Sequence, residues 1–199
     1  MDTLKWFSVS SPALVDMKQY VALLRGINVG GKNIIKMADL KVCFEALGFK
    51  DVRTYIQSGN VLIRTEEPDQ ARLTVVIEDA LSTTFNYELL VVVRSEDELK
   101  HIVTQAPQGF GADPAAYRYD VVFLKEPLTA AEAMASITTK EGVDQAIAGD
   151  GVLYFARLTS RATQSRLNRI ASIPSYQSMT IRNWNTTTRL LEMMEADHR

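Results

Sequence analysis

Across its 199 residues the chain has one cysteine and two histidines, and each scarcity closes off a kind of chemistry. Cys43 alone cannot form an internal disulfide, which suits a reducing compartment and predicts a cytoplasmic location. It shares a helical stripe with Leu40, Phe44 and Leu47, so it reads as packing rather than as a nucleophile. His101 falls on the polar side of a helix and His198 is the penultimate residue, which leaves no Cys/His cluster for zinc and no base beside a nucleophile. No metal and no cofactor is expected, and no catalytic residue can be named, because no spacing singles out a pair among the 24 carboxylates. No apolar run approaches the roughly 20 residues that span a bilayer, so no membrane partner is expected. Residues 1–16 also lack the continuous apolar stretch of a signal peptide and carry Asp2 near the start. They are expected to be a loosely held N-terminal extension upstream of Met17, which stands where an initiator would.

Acidic side chains are missing from one whole region. The net charge is only −2, but it is unevenly spread. Met17 to Thr65 carries eight Lys+Arg against three Asp+Glu, and Glu66 to Asp150 carries six against sixteen. From Gly151 to Leu191 there are six arginines, no lysine and no carboxylate. Two basic stretches straddle an acidic middle, so the surface is expected to be dipolar.

What the chain does contain is a repeated pattern. Tyr20–Leu24 reads as a buried strand, and Met37, Leu40, Phe44 and Leu47 recur at helical spacing before Gly48. Val52–Gln57 and Val61–Arg64 read as strands joined at Ser58-Gly59-Asn60, followed by a helix opened by Pro68 and a strand at Leu89–Val93. Ser95 and Glu98 form a capping box for a linking helix. The order then starts again: a strand at Tyr119–Leu124, a helix capped by Thr129 and Glu132, and strands at Val143–Ala148 and Val152–Leu158. A helix around Leu167 and Ile170, a strand at Met179–Arg182 and a last helix capped by Asn185 complete it. The fold class is therefore α+β, with two ferredoxin-like βαββαβ subdomains carrying antiparallel sheets, over 17–95 and 96–199.

Candidate ligand-binding residues fall in two places. Gly26-Ile27-Asn28-Val29-Gly30-Gly31-Lys32-Asn33 follows a strand and precedes a helix with the spacing of a P-loop, yet Asn33 stands where Ser or Thr would hold Mg²⁺. Arg25, Asn28, Gly30, Gly31, Lys32 and Asn33 are instead expected to form a nest of backbone N–H groups and cations for an anion. The turn at Ser58–Asn60 is expected at the opposite end of the sheet from this loop. The second place is the arginine-rich stretch, where Arg161 and Arg182 offer forked recognition of phosphate or carboxylate and Trp184 a ring on which a base can stack.

Tyr20-Val21-Ala22-Leu23-Leu24-Arg25-Gly26-Ile27-Asn28-Val29-Gly30-Gly31, Lys36-Met37-Ala38-Asp39-Leu40 and Tyr55-Ile56-Gln57-Ser58-Gly59-Asn60-Val61 form a specific series. It closely resembles the bacterial family catalogued as domain of unknown function sixteen ninety-seven. Arg182-Asn183-Trp184-Asn185-Thr186 resembles that family's late motif. The resemblance implies paired ferredoxin-like subdomains and a start near Met17. It implies no activity and no catalytic residue.

The sequence reading thus favours a binder of an anionic ligand, either a phosphate-bearing small molecule or single-stranded nucleic acid. An enzyme acting on a phosphorylated or carboxylated metabolite, and a structural or regulatory homodimer, are the alternatives. Against nucleic acid, Val61, Leu62 and Ile63 give the first sheet no stacking platform, and the adjacent Tyr154 and Phe155 face opposite ways.

Overall fold

In the computed structural model, which describes residues 17–28 and 34–196, the chain folds twice through the same sequence of elements. The apolar run Lys18–Leu24 is β1, and Met37–Ala46 is α1, its Leu40, Cys43 and Phe44 turned inward as their spacing requires. β2 (Lys50–Tyr55) and β3 (Asn60–Thr65) form the hairpin. α2 (Gln70–Phe85) starts at Asp69, whose side chain accepts from the Arg72 N–H, and ends at Asn86 in the left-handed conformation. Leu73, Ile77 and Leu81 line its buried face, whereas Val76, which the periodicity also places there, is 39% exposed. β4 (Val91–Ser95) leads directly into α3 (Glu96–Thr104).

The second pass runs β5 (Tyr117–Leu124), α4 (Ala130–Ala135), β6 (Asp144–Ala148), β7 (Val152–Leu158), β8 (Met179–Asn183) and α5 (Trp184–Glu195). Two details differ from expectation. The N-cap of α5 is Asn183, which accepts from the N–H of Asn185, so the cap lies two residues earlier than the sequence implies. The helix expected around Leu167 and Ile170 is instead three short 3-10 turns, at Thr159–Gln164, Leu167–Ser172 and Pro174–Ser178. Leu167, Ile170, Ile173 and Tyr176 recur every third residue, the period of a 3-10 helix, so one face packs only if the chain winds that way.

The sheets are antiparallel throughout, with orders β2-β3-β1-β4 and β6-β7-β5-β8. These are the two ferredoxin-like arrangements that the pattern predicts. Strand alternation splits β1 between two cores. Tyr20, Ala22 and Leu24 pack on α1 and α2, while Val21 and Leu23 face the other way. There they join Val121 and Phe123 of β5, Leu99 and Ile102 of α3, and Leu190 and Met194 of α5 in one core shared by both halves. A third core lies between the outer face of the second sheet, α4 and the 3-10 turns. α3 stands to β4 as α5 stands to β8, so the unit that repeats is βαββαβ plus one inner helix. Among the described residues no helix is long and apolar enough to cross a membrane.

The capping box is realised at α3. The N–H of Glu98 donates to Ser95 Oγ at 3.2 Å, and the N–H of Ser95 donates to Glu98 Oε2 at 2.7 Å. Because α3 carries Leu99 and Ile102 into the shared core, its start anchors both halves. Ser95→Ala is expected to cost about 1 kcal/mol of global stability, read as a lower urea midpoint with unchanged slope.

Candidate functional site

β1 runs antiparallel to β3, so the chain leaving β1 emerges beside the turn that enters β3. The N–H of Leu24 donates to the carbonyl of Gly59 at 2.8 Å. Asn28, left-handed at φ 55°, then ties the loop to the turn. Its Nδ2 donates to the carbonyls of Ile35 and Gln57, at 3.0 and 2.9 Å, and its Oδ1 accepts from the N–H of Ile35 at 2.8 Å. The described flanks of the glycine loop, Gly26–Asn28 and Ile35, therefore share one end of the sheet with the Ser58–Asn60 turn, which corrects the expectation that loop and turn lie at opposite ends. The exposed tip of this turn, Ile56, holds φ 48°, a conformation that costs a β-branched side chain on the order of 1–3 kcal/mol.

The late motif reaches the same place from the other half. Arg182 of β8 is 6% exposed, and all five of its N–H groups are used. Nε donates to Asn60 Oδ1 at 2.5 Å, and Nη1 to Thr180 Oγ1 and the Ile181 carbonyl at 3.1 and 2.9 Å. Nη2 reaches the carbonyls of Leu24, Ser58 and Gly59 at 2.7, 2.9 and 3.1 Å. Asn60 is held ready for this contact by its own Nδ2, which donates to the Tyr55 carbonyl at 2.8 Å and to Ser58 Oγ at 3.1 Å. Burial pushes the guanidinium down to about 10, which leaves it charged at neutral pH.

The contact is reciprocated. Arg94 of β4 sits opposite Val21 just as Arg182 sits opposite Val121. Its Nη2 donates to the carbonyls of Leu124 and Gly151 at 2.7 and 3.3 Å, the counterparts of Leu24 and Gly59. Arg25 and Lys125 also correspond, with N–H groups that donate to Leu90 and Ser178 at 2.9 and 2.8 Å. The two junctions differ in charge. Burial lowers the pKa of Arg94, but Glu98, Glu126 and Asp150 act to raise it, and Lys125 Nζ lies 2.5 Å from Glu78 Oε1. Among the described residues burial alone acts on Arg182, with no carboxylate to offset it. Arg25 makes no ion pair among the described residues; its guanidinium lies over the ring of Tyr176, 4.7 Å from the centroid.

The first-half segments at this junction lie within the part of the chain that matches a known family. Residues 17–154 match the family described as Protein of unknown function (DUF1697). The chain belongs to the DUF1697 family. The match stops short of Arg182, so the matched region supplies the Leu24, Ser58, Gly59 and Asn60 acceptors of the junction and the rest of the chain supplies the donor. The chain is similar to the structure of the conserved bacterial protein SP0830 from Streptococcus pneumoniae, with 25% identity and a TM-score of 0.80 over 90% of this chain and 99% of that one. No curated protein matches the chain at a significant level.

Of the ligand-binding residues expected in this DUF1697 chain, Arg25 and Asn28 lie at the junction, with Asn28 committed to tying the loop. Gly30, Gly31, Lys32 and Asn33 lie outside the described residues, as does the 1–16 extension. Arg182 is present but spent on interior acceptors. Trp184 is not beside it as a stacking ring: it packs edge-on against Phe110, centroids 5.1 Å apart, under Gly111. Arg161 is exposed in the first 3-10 turn and joins neither. Among the described residues no group of three or more His, Cys, Asp or Glu is placed to hold a metal. Sequence reasoning missed Asn60 as an acceptor, Arg94 and Lys125 as the matched junction, and Tyr176 as the partner of Arg25. The 3-10 period through Tyr176 was the one available signal for the last.

Proposed function

We propose that the chain binds an anionic ligand, a phosphate-bearing small molecule, at the junction where β1 ends. The observation that carries this reading is the charge difference between two otherwise matched junctions. Lys125 is paired with Glu78, and Glu98, Glu126 and Asp150 act on Arg94, whereas among the described residues no carboxylate pairs with Arg25 or acts on Arg182. Carbonyl oxygens offset part of the Arg182 charge but no carboxylate acts on it, and it lies one hydrogen bond from Leu24, so the surface beside Arg25 should be electropositive. Stacking on Tyr176 occupies a face of the Arg25 guanidinium and its Nε is buried, which leaves the Nη pair as the edge that would fork onto phosphate.

The test is calorimetric titration of the full chain with inorganic phosphate, pyrophosphate and ATP, with a short oligonucleotide as a separate arm. Arg25→Gln is expected to weaken phosphate binding by about 1.5–3 kcal/mol, the range for hydrogen bonds to a charged group, with little change in Tm. Lys125→Gln, which removes the matched but neutralised cation, is expected to leave the affinity unchanged. Equal affinities in wild type and Arg25→Gln, or no anion bound, would sink the reading. Preference for the oligonucleotide with a steep salt dependence would move it to single-stranded nucleic acid.

A further inference from the structure

The inner face of the second sheet is only partly covered by α3 and α5. Beyond them, rows of facing residues cross the strands: Tyr119 opposite Ala156 opposite Gln145, then Val121 opposite Tyr154 opposite Ile147. The small Ala156 between larger neighbours leaves a hollow in the middle of the sheet. In the first sheet the matching row is Gln19, Arg64 and Lys50, and the long Arg64 stands where Ala156 leaves space. The segment from Pro107 to Asp113 then forms a wall over the hollow. It is pinned by Phe110 N–H to the Pro107 carbonyl at 2.8 Å and Ala112 N–H to the Gly109 carbonyl at 3.1 Å. It also rests on Trp184 so closely at Gly111 that a Cβ there would lie 2.3 Å from the indole Nε1.

The result is a cleft of about 250 Å³. Phe110, Tyr117, Tyr119 and Tyr154 line it, with Phe110 edge-on to Tyr119 and Tyr154 at 4.9 and 5.3 Å. The Tyr154 hydroxyl is used, donating to the Ile102 carbonyl at 2.6 Å, so that ring is fixed. Gln108 and Gln145 are exposed at its edge, and among the described residues no charged side chain lines the cleft. We infer that this cleft binds one uncharged planar heteroaromatic ring of nucleobase size. The partly exposed rings of Phe110 and Tyr117 supply stacking surface over the buried Tyr119 and Tyr154, and the volume lies below the range that holds a drug-sized molecule. The carboxamides each offer a donor and an acceptor to the edge of such a ring. With no cation in the lining, a phosphate on the ligand gains nothing, which makes this site independent of the anion junction. With no carboxylate, a cationic ligand has only ring faces to hold it.

The test is an NMR titration of the full-length protein with adenosine, uridine, AMP and choline. Saturable shifts at Tyr117, Tyr119, Gln145 and Phe110 are expected with a nucleoside, and AMP should bind within about threefold of adenosine because nothing there pairs its phosphate. Tyr117→Ala should weaken binding by about tenfold or more, the usual size of one stacking contact. Ala156→Leu fills the floor without removing a ring, so it should abolish binding in a protein that still folds. Tight choline binding, a large gain from the phosphate of AMP, nucleoside binding unchanged in Ala156→Leu, or no shifts with any nucleoside would each overturn the assignment.

Discussion

Arg182→Met should lower stability by about 3–5 kcal/mol, because several buried acceptors lose their charged donor at about 1–3 kcal/mol each. At about 2–4 °C per kcal/mol for a chain of this size, that is a fall in Tm of roughly 6–20 °C. Methionine fills much of the space but donates nothing, which strips the charged donor from Leu24, Ser58 and Asn60 Oδ1 together. Leaving buried acceptors unpaired is what makes the change expensive. Arg182→Lys keeps the charge but cannot reach five directions from one plane, so it should fall between wild type and Arg182→Met. Thermal denaturation of the three proteins checks this order. A Tm for Arg182→Met within a degree or two of wild type would mean that water replaces the guanidinium at no cost.

Gly59→Ala is expected to cost about 2–5 kcal/mol, combining a left-handed residue with a Cβ and overpacking of a buried turn. Gly59 has φ 74°, and a Cβ there would lie 2.6 Å from Ile27 Cδ1 and 2.9 Å from Leu24 Cβ. The isoleucine tip can swing aside. Leu24 Cβ cannot, because it is carried by the backbone of β1. Its counterpart supplies the control: at Gly151, φ 64°, the nearest atom is Arg94 Nη2 at 3.1 Å, the far end of a long side chain. Gly151→Ala should therefore cost only about 1–2 kcal/mol, the backbone contribution by itself. Urea denaturation distinguishes the two, and equal losses would refute the steric argument.

Local signals in the sequence carried the element order well. The capping boxes at Ser95 and Thr129, the apolar stripe of α1 and the turn residue Gly59 each act within a few positions, so they can be read from one chain. The site was less legible. Arg182 and Asn60 are 122 positions apart, and nothing local at either announces the other. Arg182 looked like an anion ligand because arginine is rarely so deeply buried, and its acceptors Leu24, Ser58, Gly59 and Asn60 lie in the other half of the chain. The aromatic cleft was missed for a similar reason. Its rings come from a loop and two strands, and the small Ala156 that opens it is informative only once its neighbours across the sheet are known.

The exchanged arginines also bear on how such a chain is free to diverge. Two copies of a single βαββαβα unit, related by a dyad, would each send an arginine into the other, because such a contact is self-complementary. A dyad would also force both crossings to have identical surroundings: a carboxylate gained at one would appear at the other. Joining the copies in one polypeptide lifts that constraint, since each position now mutates alone. Glu78 and Glu126 on one side, and the bare Arg25 with its tyrosine on the other, are the kind of specialisation that only the covalent version of this arrangement permits.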